Sequence, residues 1–278
     1  MVRTSAFAKL VSAVLFAAVC AYLLAHFAQV LDDSRRAVLT EKTVTDSIAL
    51  EGIALRSEQT VCLEGEPVLF CENGERLAAG QIFAEQNGES LISDASAIFF
   101  GSCDGYEYLA PNEDGFSAEC LNKLLAAERR GDSAAGRLVK GRTWYFAAVA
   151  EAKDVACGEV TVKFGDLNEK ISCTLVRSCP DGKGKTAVLL KIRIGKNEYL
   201  SLRRCRGEII LKETTGLAVP VGAVAEENGN YFVIRLTAAG EKVCPAEILY
   251  KNEDFFLIRP TEELYSGAKV KIKMQNAE

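Results

Sequence analysis

Histidine is nearly absent from this chain, which contains one, His26, against ten cysteines. Catalysis by a Ser-His-Asp or Cys-His arrangement, and zinc binding through imidazole groups, both require histidines. The composition therefore disfavours the enzyme classes whose catalysis or metal binding depends on histidine. We expect a non-enzyme with no catalytic residue, no metal site and no cofactor, whose function lies in its architecture and location.

An excess of positive charge is also lacking. The 33 Lys and Arg residues against 38 Asp and Glu residues give a formal net charge of −5, so nothing in the net charge favours binding to nucleic acid. Apolar residues make up 49% and charged residues 26% of the chain, a balance typical of folded proteins. The 278 residues allow two compact domains or a longer series of small ones.

Charged residues are missing from one long segment near the amino terminus, Leu10 through Leu31. At about 1.5 Å per helical residue this segment reaches roughly 33 Å, enough to cross a hydrocarbon core of about 30 Å. His26 falls near its end, where a polar side chain reaches the membrane interface. We expect a single-pass anchor in the cell membrane, with residues 1–9 cytoplasmic and the carboxyl-terminal domains extracytoplasmic. A cleaved signal peptide is the alternative, although its apolar core is usually shorter, about 7–15 residues.

The cysteines contain no C-x-x-C pair, and nine of them follow the predicted anchor. Several fall where an apolar side chain is expected, such as Cys71 after an apolar run and Cys173 between Ile171 and Leu175. Small buried hydrophobic residues are the favoured interpretation. One or two disulfides stay open as an alternative, because the sequence does not determine a pairing.

Apolar residues beyond the anchor recur mostly with period two, most clearly over residues 160–164, 188–194 and 270–274. Each pattern directs one face of a strand to a core and the other to water. Turn residues that accept positive φ separate the patterns. These turns are Asn73-Gly74, Asp104-Gly105, Asp181-Gly182, Gly195-Lys196-Asn197 and Asn228-Gly229. The sequence therefore predicts a mainly β protein.

Two segments depart from the strand pattern. Phe116–Arg130 spaces its apolar residues at helical intervals, which predicts a helix of three or four turns with Ser117 as its cap, ending at Gly131. Asp154–Cys157 predicts a single helical turn between strands.

Three features that resemble functional sites favour structural interpretations. Gly184-Lys185-Thr186 is similar to the end of a phosphate-binding loop, but Cys179 stands where that motif requires glycine. The carboxylate pairs Glu226-Glu227 and Glu262-Glu263 flank turns, which indicates solvated edges. Trp144 lies in an aromatic strand segment that predicts a position facing a core.

The order of the β segments resembles a known family. Asn73–Ala84, reading NGERLAAGQIFA, resembles the first biotinyl/lipoyl-like half-motif of HlyD-type periplasmic adaptor, or membrane-fusion, proteins. Ala95–Glu107 resembles the second half-motif of their short Gram-positive relatives, and residues 136–162 and 216–234 resemble the openings of their β-barrel and membrane-proximal domains. A carrier domain would present a lysine on the next hairpin, but no lysine occurs between Glu85 and Lys123, so a carrier role is not expected.

The resemblance implies a series of β domains behind the anchor. The expected segments are a tail (1–9), a transmembrane helix (10–31), juxtamembrane strands (32–60), a barrel-sandwich hybrid (61–110), a short helix with linker (111–136), a β-barrel (137–215) and a membrane-proximal domain (216–278). The resemblance also singles out ten residues of the structural motifs. They are Gly74, Gly80, Gly101, Asp104, Gly105, Gly158, Gly216, Pro220, Asn228 and Gly229.

One departure from the family pattern concerns the long α-helical hairpin that exporter adaptors insert between the two half-motifs. Here only the ten residues EQNGESLISD separate Ala84 from Ala95. The hairpin is missing, so the resemblance does not extend to bridging toward an outer-membrane channel.

The resemblance implies an adaptor or scaffold that docks an inner-membrane transporter or an envelope complex, or associates with further copies of itself. One alternative is a structural protein of the cell envelope or of division. Another is an extracytoplasmic ligand sensor, which a pocket lined by aromatic residues such as Tyr106, Trp144 and Tyr145 would favour. A membrane-tethered hydrolase that uses carboxylates is the third.

Overall fold

Strands dominate the computed structural model, which describes residues 15–24, 36–62, 67–131, 136–165, 167 and 169–272. The mainly β prediction is therefore confirmed. The chain forms two units, a central unit of Asp46–Lys212 and a terminal unit that combines residues up to Thr45 with those from Glu213. The predicted boundaries at 60, 110, 136 and 215 stay predictions.

Apart from helix α1 (residues 15–24) and helix α2 (Ala118–Leu125), the regular elements of the described residues are strands and two short 3-10 helices. The strands are β1 (Arg36–Val38), β2 (Thr40–Val61), β3 (Val68–Leu69), β4 (Arg76–Leu77), β5 (Ile82–Gln86), β6 (Glu89–Ile92), β7 (Ala97–Phe100), β8 (Gly136–Ala150), β9 (Gly158–Phe164), β10 (Lys170–Pro180), β11 (Thr186–Arg193), β12 (Arg204–Pro220), β13 (Val224–Glu227), β14 (Asn230–Thr237), β15 (Gly240–Ala246), β16 (Ile248–Lys251), β17 (Phe255–Ile258) and β18 (Lys269–Lys271). The 3-10 helices are Asn197–Leu200, beginning where a turn was predicted, and Val221–Ala223.

The predicted anchor falls largely outside the described residues. Its tail, residues 1–9, and the parts of the span at 10–14 and 25–31, with His26, are not among them. Within the described part of the chain, no helix has the length and apolar character needed to cross a membrane. The single-pass anchor stays a prediction.

Strands of the central unit close into a barrel. β2 pairs with β8, then β11, β10, β9 and β12 follow, and β12 pairs back onto β2. Alternate side chains point inward, because successive residues of a strand face opposite sides. Trp144 is 0% exposed, as predicted for a core position, and its ring centroid lies 5.7 Å from that of Phe164. The barrel core also includes Leu50, Phe146, Val162, Cys173, Val188, Leu190, Ile192 and Ile209.

Helix α2 is shorter than predicted. Its cap is confirmed, since the Ser117 hydroxyl accepts a hydrogen bond from the backbone N–H of Cys120 at 3.1 Å. The helix ends at Leu125 rather than near Gly131, because the guanidinium of Arg204 binds the carbonyl oxygens of Leu125 and Ala127 at 2.8 and 2.6 Å.

The helical turn predicted at Asp154–Cys157 is wrong, because these residues have no regular structure. Val155 instead inserts into the barrel core from an irregular segment. Burial of the cysteines is also only partly as predicted. Cys173, Cys205 and Cys244 are buried, but Cys62 at the end of β2 and Cys157 before β9 are exposed, and no disulfide joins the described cysteines.

The terminal unit packs two small sheets around one core. The first has the order β1, β18, β14, β13, with β15 also paired to β14, and the second is formed by β16, β17 and the end of β12. Asn228 and Gly229 form the predicted two-residue turn between β13 and β14, both with positive φ, 51° and 77°. The core includes Leu39, Leu217, Val219, Val233, Cys244, Ile258, Leu264 and Val270.

Candidate functional site

A buried ionic cluster lies in the central unit, where β2 and β8 meet the loop after β7 and the loop before β12. It balances three guanidinium groups against three carboxylates. Its members are Arg56, Glu58, Asp104, Glu107, Arg137 and Arg203. All are nearly inaccessible except the Asp104 side chain, which is 29% exposed. Charges so buried are stable only when paired.

Arg203 and Arg137 share the acidic partners. Arg203 places Nη2 at 2.5 Å from Oε2 of Glu58 and Nε at 2.8 Å from Oδ2 of Asp104. Arg137 places Nη1 at 2.8 Å from the same Asp104 oxygen and 3.3 Å from Oε1 of Glu107. Asp104 therefore joins β8 to the loop before β12.

Arg56 is the most buried cation, at 1% exposure. It lies where the β2–β8 ladder is interrupted between Leu55 and Ser57. Its Nη2 donates to the carbonyl oxygens of Leu202 and Tyr199. Burial, reinforced by the charge of Arg203, lowers the pKa of Arg56 to about 10, so the group stays cationic at neutral pH.

The Asp104-Gly105 motif holds this cluster in place. Oε1 and Oε2 of Glu107 accept the backbone N–H groups of Asp104 and Gly105 at 2.5 and 2.9 Å. Gly105 has a φ of +83°, and a Cβ there would lie 2.4 Å from the carbonyl oxygen of Arg130. Only glycine fits this position without strain. The motif predicted from sequence is thus a loop built to present Asp104 to two arginines.

Five cluster residues, Arg56, Glu58, Glu107, Arg137 and Arg203, were missed by sequence reasoning. The available signal was a charge embedded in an apolar strand segment, as with Arg56 after Ile53-Ala54-Leu55. Such a charge is rarely buried without a partner. The partners, however, come from distant parts of the chain, and no local pattern brings them together.

The cluster is suited to holding structure rather than to proton transfer. Burial raises the pKa of Asp104, but the hydrogen bond and charge of Arg203 and the charge of Arg137 outweigh it, so the pKa lies below its ordinary value. Asp104 is therefore ionised at neutral pH. Across the residues that the structure covers, no group of three His, Cys, Asp or Glu side chains is placed to hold a metal ion.

A small β-sandwich lies on the side of β8 opposite the ionic cluster. Arg137 enters the ionic cluster, while the next residue, Leu138, enters the sandwich core. One layer is the β4–β7–β8 sheet, and the other is the three-stranded sheet β3–β5–β6. Their shared core consists of Val61, Leu77, Phe83, Ala84, Ala97, Phe99 and Leu138.

The outer side of the three-stranded sheet exposes large apolar side chains. Ile82 and Ile92 are direct cross-strand partners and are 45% and 55% exposed. Val68 on β3 is 57% exposed, and Phe70 just after it is 52% exposed. We call these four residues the outer sandwich face. Glu85 pairs with Val68 and is exposed on the same side of the sheet, and Glu72 is exposed two residues after Phe70.

The segment that replaces the long helical hairpin of exporter adaptors connects two strands that contribute to this face. Asn87 and Gly88, with φ of 52° and 80°, make a two-residue turn between β5 and β6. Such turns match the twist of the two strands they join. The short connection therefore ends in a β-hairpin that carries Ile82 and Ile92.

The structure brings three of the predicted motif glycines to the sandwich. Gly74 donates its N–H to the Phe99 carbonyl at 2.7 Å, and Gly101 donates to Oδ1 of Asn73 at 2.9 Å. Gly80, with φ +82°, closes the turn between β4 and β5. Gly74 and Gly101 thus share one network.

The other motif residues lie elsewhere. Gly158 opens β9, while Gly216, Pro220, Asn228 and Gly229 belong to the terminal unit. At Gly216 a Cβ would lie 2.7 Å from the carbonyl oxygen of Ile258, so strands β12 and β17 approach too closely for a side chain.

Two further candidates do not form sites. The N–H groups of Lys183 and Lys185 are bound by Oδ1 of Asp181 at 2.6 and 3.0 Å, so they are not free to hold a phosphate. Trp144 and Tyr145 are adjacent on β8 and pack in different cores. They therefore do not line one pocket.

No protein-family model matches the sequence, and no curated protein matches it. Among solved structures, ZneB from Cupriavidus metallidurans is 12% identical over 87% of this chain and 94% of that chain, with a TM-score of 0.29. A putative efflux transporter from Bacteroides eggerthii is 11% identical over 78% and 86%, with a TM-score of 0.35. MacA from Actinobacillus actinomycetemcomitans is 10% identical over 86% and 99%, with a TM-score of 0.33. Identities and TM-scores this low do not establish a family.

Proposed function

We propose that this chain is a non-enzymatic, membrane-anchored adaptor that docks another protein through the outer sandwich face. The observation that carries the proposal is the exposed set Val68, Phe70, Ile82 and Ile92 on one three-stranded sheet. Contiguous exposed apolar side chains on a soluble surface mark sites of interaction.

The surroundings of this face indicate the chemistry of the partner. Glu85 is exposed on the same side of the sheet as its partner Val68, and Glu72 is exposed two residues after Phe70, so a complementary surface has an apolar centre and basic groups at its rim. The same carboxylates disfavour contact with anionic lipid headgroups. The occupant is therefore a protein surface.

The rigid base of the face supports this role. The ionic cluster fixes Arg137 on one side of β8, and Leu138 packs beneath the three-stranded sheet on the other. A preorganised surface loses less entropy on binding than a mobile one. Docking, rather than chemistry, is what this arrangement favours.

The finer proposal follows the family resemblance of the sequence. The chain is an HlyD-type adaptor of the short kind, anchored once in the cell membrane with its β domains extracytoplasmic. Its partner is an inner-membrane transporter or an envelope complex, and it reaches that partner with the β5–β6 hairpin in place of an α-helical one.

Site-specific photo-cross-linking in native membranes tests the proposal. A photoreactive residue at position 92 is compared with one at position 211, since Leu211 is equally exposed, at 56% against 55% for Ile92, but lies on β12. We expect an adduct with one integral membrane or envelope protein from position 92 only. Recovery of monomer alone from both positions would contradict the proposal.

A further inference from the structure

A recess of about 350 Å³ lies beside the loop that presents Asp104 to the ionic cluster. Gly105 of that loop lines it together with Arg129 and Arg130, which follow helix α2. Both arginines are exposed. A volume of this size is at the lower end of the range found for small-molecule sites. We call the recess formed by Gly105, Arg129 and Arg130 the arginine recess.

Gly105 makes room for the first arginine and holds the second in place. A Cβ at position 105 would lie 2.4 Å from Cγ of Arg129, so this side chain can lie against the loop only because the residue there is glycine. The backbone N–H of Arg130 donates to the carbonyl oxygen of Gly105 at 2.9 Å. Both arginines are therefore attached to the loop of the ionic cluster, although they lie beyond the end of α2.

The guanidinium of Arg130 is oriented by an aromatic ring. Its Cζ lies 3.7 Å from the ring centroid of Tyr108. The Tyr108 hydroxyl in turn donates to the carbonyl oxygen of Glu128 at 2.8 Å, which fixes the ring. Stacking uses the flat face of a guanidinium and leaves the N–H groups at its edge available to a ligand. A group oriented in this way loses less entropy on binding.

Positive charge in the recess is not balanced by the acidic residues nearby. Asp104 and Glu107 of the loop are already paired with arginines of the ionic cluster. Among the residues that the structure describes, no carboxylate pairs with Arg129 or Arg130. Glu128 precedes them in the sequence and is exposed, but it does not line the recess. The recess itself therefore carries two cationic groups and no anionic one.

We infer that the arginine recess binds an oxyanion, the carboxylate or phosphate group of a compact ligand. A guanidinium presents its N–H groups as a planar fork that matches the oxygens of a carboxylate or a phosphate, and such charge-assisted hydrogen bonds are stronger than neutral ones. Two guanidinium groups at one recess supply two such forks. This site is separate from the outer sandwich face, and it does not depend on docking or on the membrane anchor.

Isothermal titration calorimetry of the full chain in detergent tests the inference. The probes are inorganic phosphate and succinate, titrated separately in Tris buffer at constant ionic strength, and succinamide is the uncharged analogue of succinate. The wild type is compared with an Arg129→Gln, Arg130→Gln double variant. Arg142→Gln is the matched control, since Arg142 is also an exposed arginine but lies on β8.

At least one of the two oxyanions is expected to bind the wild type and Arg142→Gln with equal affinity, and to bind the double variant about tenfold or more weakly. Binding of phosphate alone would assign a phosphate ligand, and binding of succinate alone a carboxylate ligand. Absence of binding by both would overturn the inference. An equal loss in Arg142→Gln, or equal binding of succinamide, would overturn it as well, since neither result is specific to an oxyanion in this recess.

Tyr108→Leu separates orientation of the guanidinium from charge alone. This variant keeps both arginines and removes the ring that stacks on Arg130. Loss of an exposed cation–π contact should weaken binding of the oxyanion about two- to fivefold, with the thermal midpoint confirming that the variant folds. An affinity equal to that of the wild type would contradict a recess in which the ring orients Arg130 for the ligand.

Discussion

Arg203 and Asp104 are 99 residues apart in the sequence, yet Nε of Arg203 lies 2.8 Å from Oδ2 of Asp104. The same carboxylate oxygen binds Arg137 at 2.8 Å. One acidic residue thus ties the loop before β12 to β8. The stability of the central unit should depend on this cluster more than on any exposed ion pair.

Glu58→Gln tests the buried cluster. The Glu58 side chain is 0% exposed and is the partner of Arg203, Arg137 and Arg56. Loss of its charge leaves buried guanidinium groups undercompensated, which costs about 3–5 kcal/mol. Urea denaturation measures the free energy of unfolding of the wild type and of the variant. The matched control is Glu51→Gln. Glu51 forms an exposed ion pair with Arg206 at 3.8 Å, so this substitution should lower the free energy of unfolding by no more than about 0.5 kcal/mol.

Acid should weaken the cluster through Asp104. Its pKa in the folded protein lies below the ordinary value of 3.8, so its ionised form stabilises the fold. This contribution is complete above the unfolded pKa, about 3.9, and disappears as the pH falls through the lower folded value. In unfolding curves between neutral pH and pH about 3, the difference between wild type and Asp104→Asn should shrink at the acid end. A difference that is constant with pH would contradict this role.

Gly105→Ala should destabilise the protein more than Gly80→Ala. Both glycines have nearly the same φ, +83° and +82°, which costs alanine about 1–2 kcal/mol in either place. Only at position 105 does the new Cβ meet backbone, 2.4 Å from the carbonyl oxygen of Arg130, whereas nothing lies within 4 Å at position 80. We expect a further cost of about 1–3 kcal/mol at Gly105, measured by urea unfolding. Equal losses would show that the loop does not pack as described.

The exposed and the buried cysteines should differ in how fast iodoacetamide alkylates them. Burial in the barrel, with a contribution from Glu159, raises the pKa of the Cys173 thiol to about 12, so little thiolate forms near neutral pH. Cys62 and Cys157 are exposed. Iodoacetamide labelling of the folded protein, followed by peptide mass spectrometry, should modify Cys62 and Cys157 and spare Cys173 until urea is added. Early labelling of Cys173 would contradict its placement in the core.

Local patterns predicted the parts of this protein that local forces determine. Period-two alternation located Trp144 in a core strand, and Asn228-Gly229 marked a turn whose φ values need those residues. Ser117 was identified as a cap because its hydroxyl acts within three residues. The end of α2 was missed because Arg204, far along the chain, binds the carbonyl oxygen of the last helical residue, Leu125, and that of Ala127 beyond it.

The outer sandwich face and the ionic cluster could not be predicted from such local patterns. The outer sandwich face depends on strand register, which sets Ile82 beside Ile92. The sequence showed that the ten-residue connection is too short for a helical hairpin. That it forms a β-hairpin instead depends on the sheet in which its strands pair. The partners of Arg56 and Arg137 likewise come from tertiary contacts.

The most direct test of the central claim is the size of the assembly that the full chain forms in its own membrane. Sedimentation after mild detergent extraction compares the wild type with an Ile82→Lys, Ile92→Lys double variant. Both side chains are exposed, so the variant should keep the thermal midpoint of the wild type. We predict that the wild type sediments in a complex with a membrane or envelope protein and that the variant sediments alone. A wild-type protein that sediments alone, or a variant that keeps the complex, would contradict docking through the outer sandwich face.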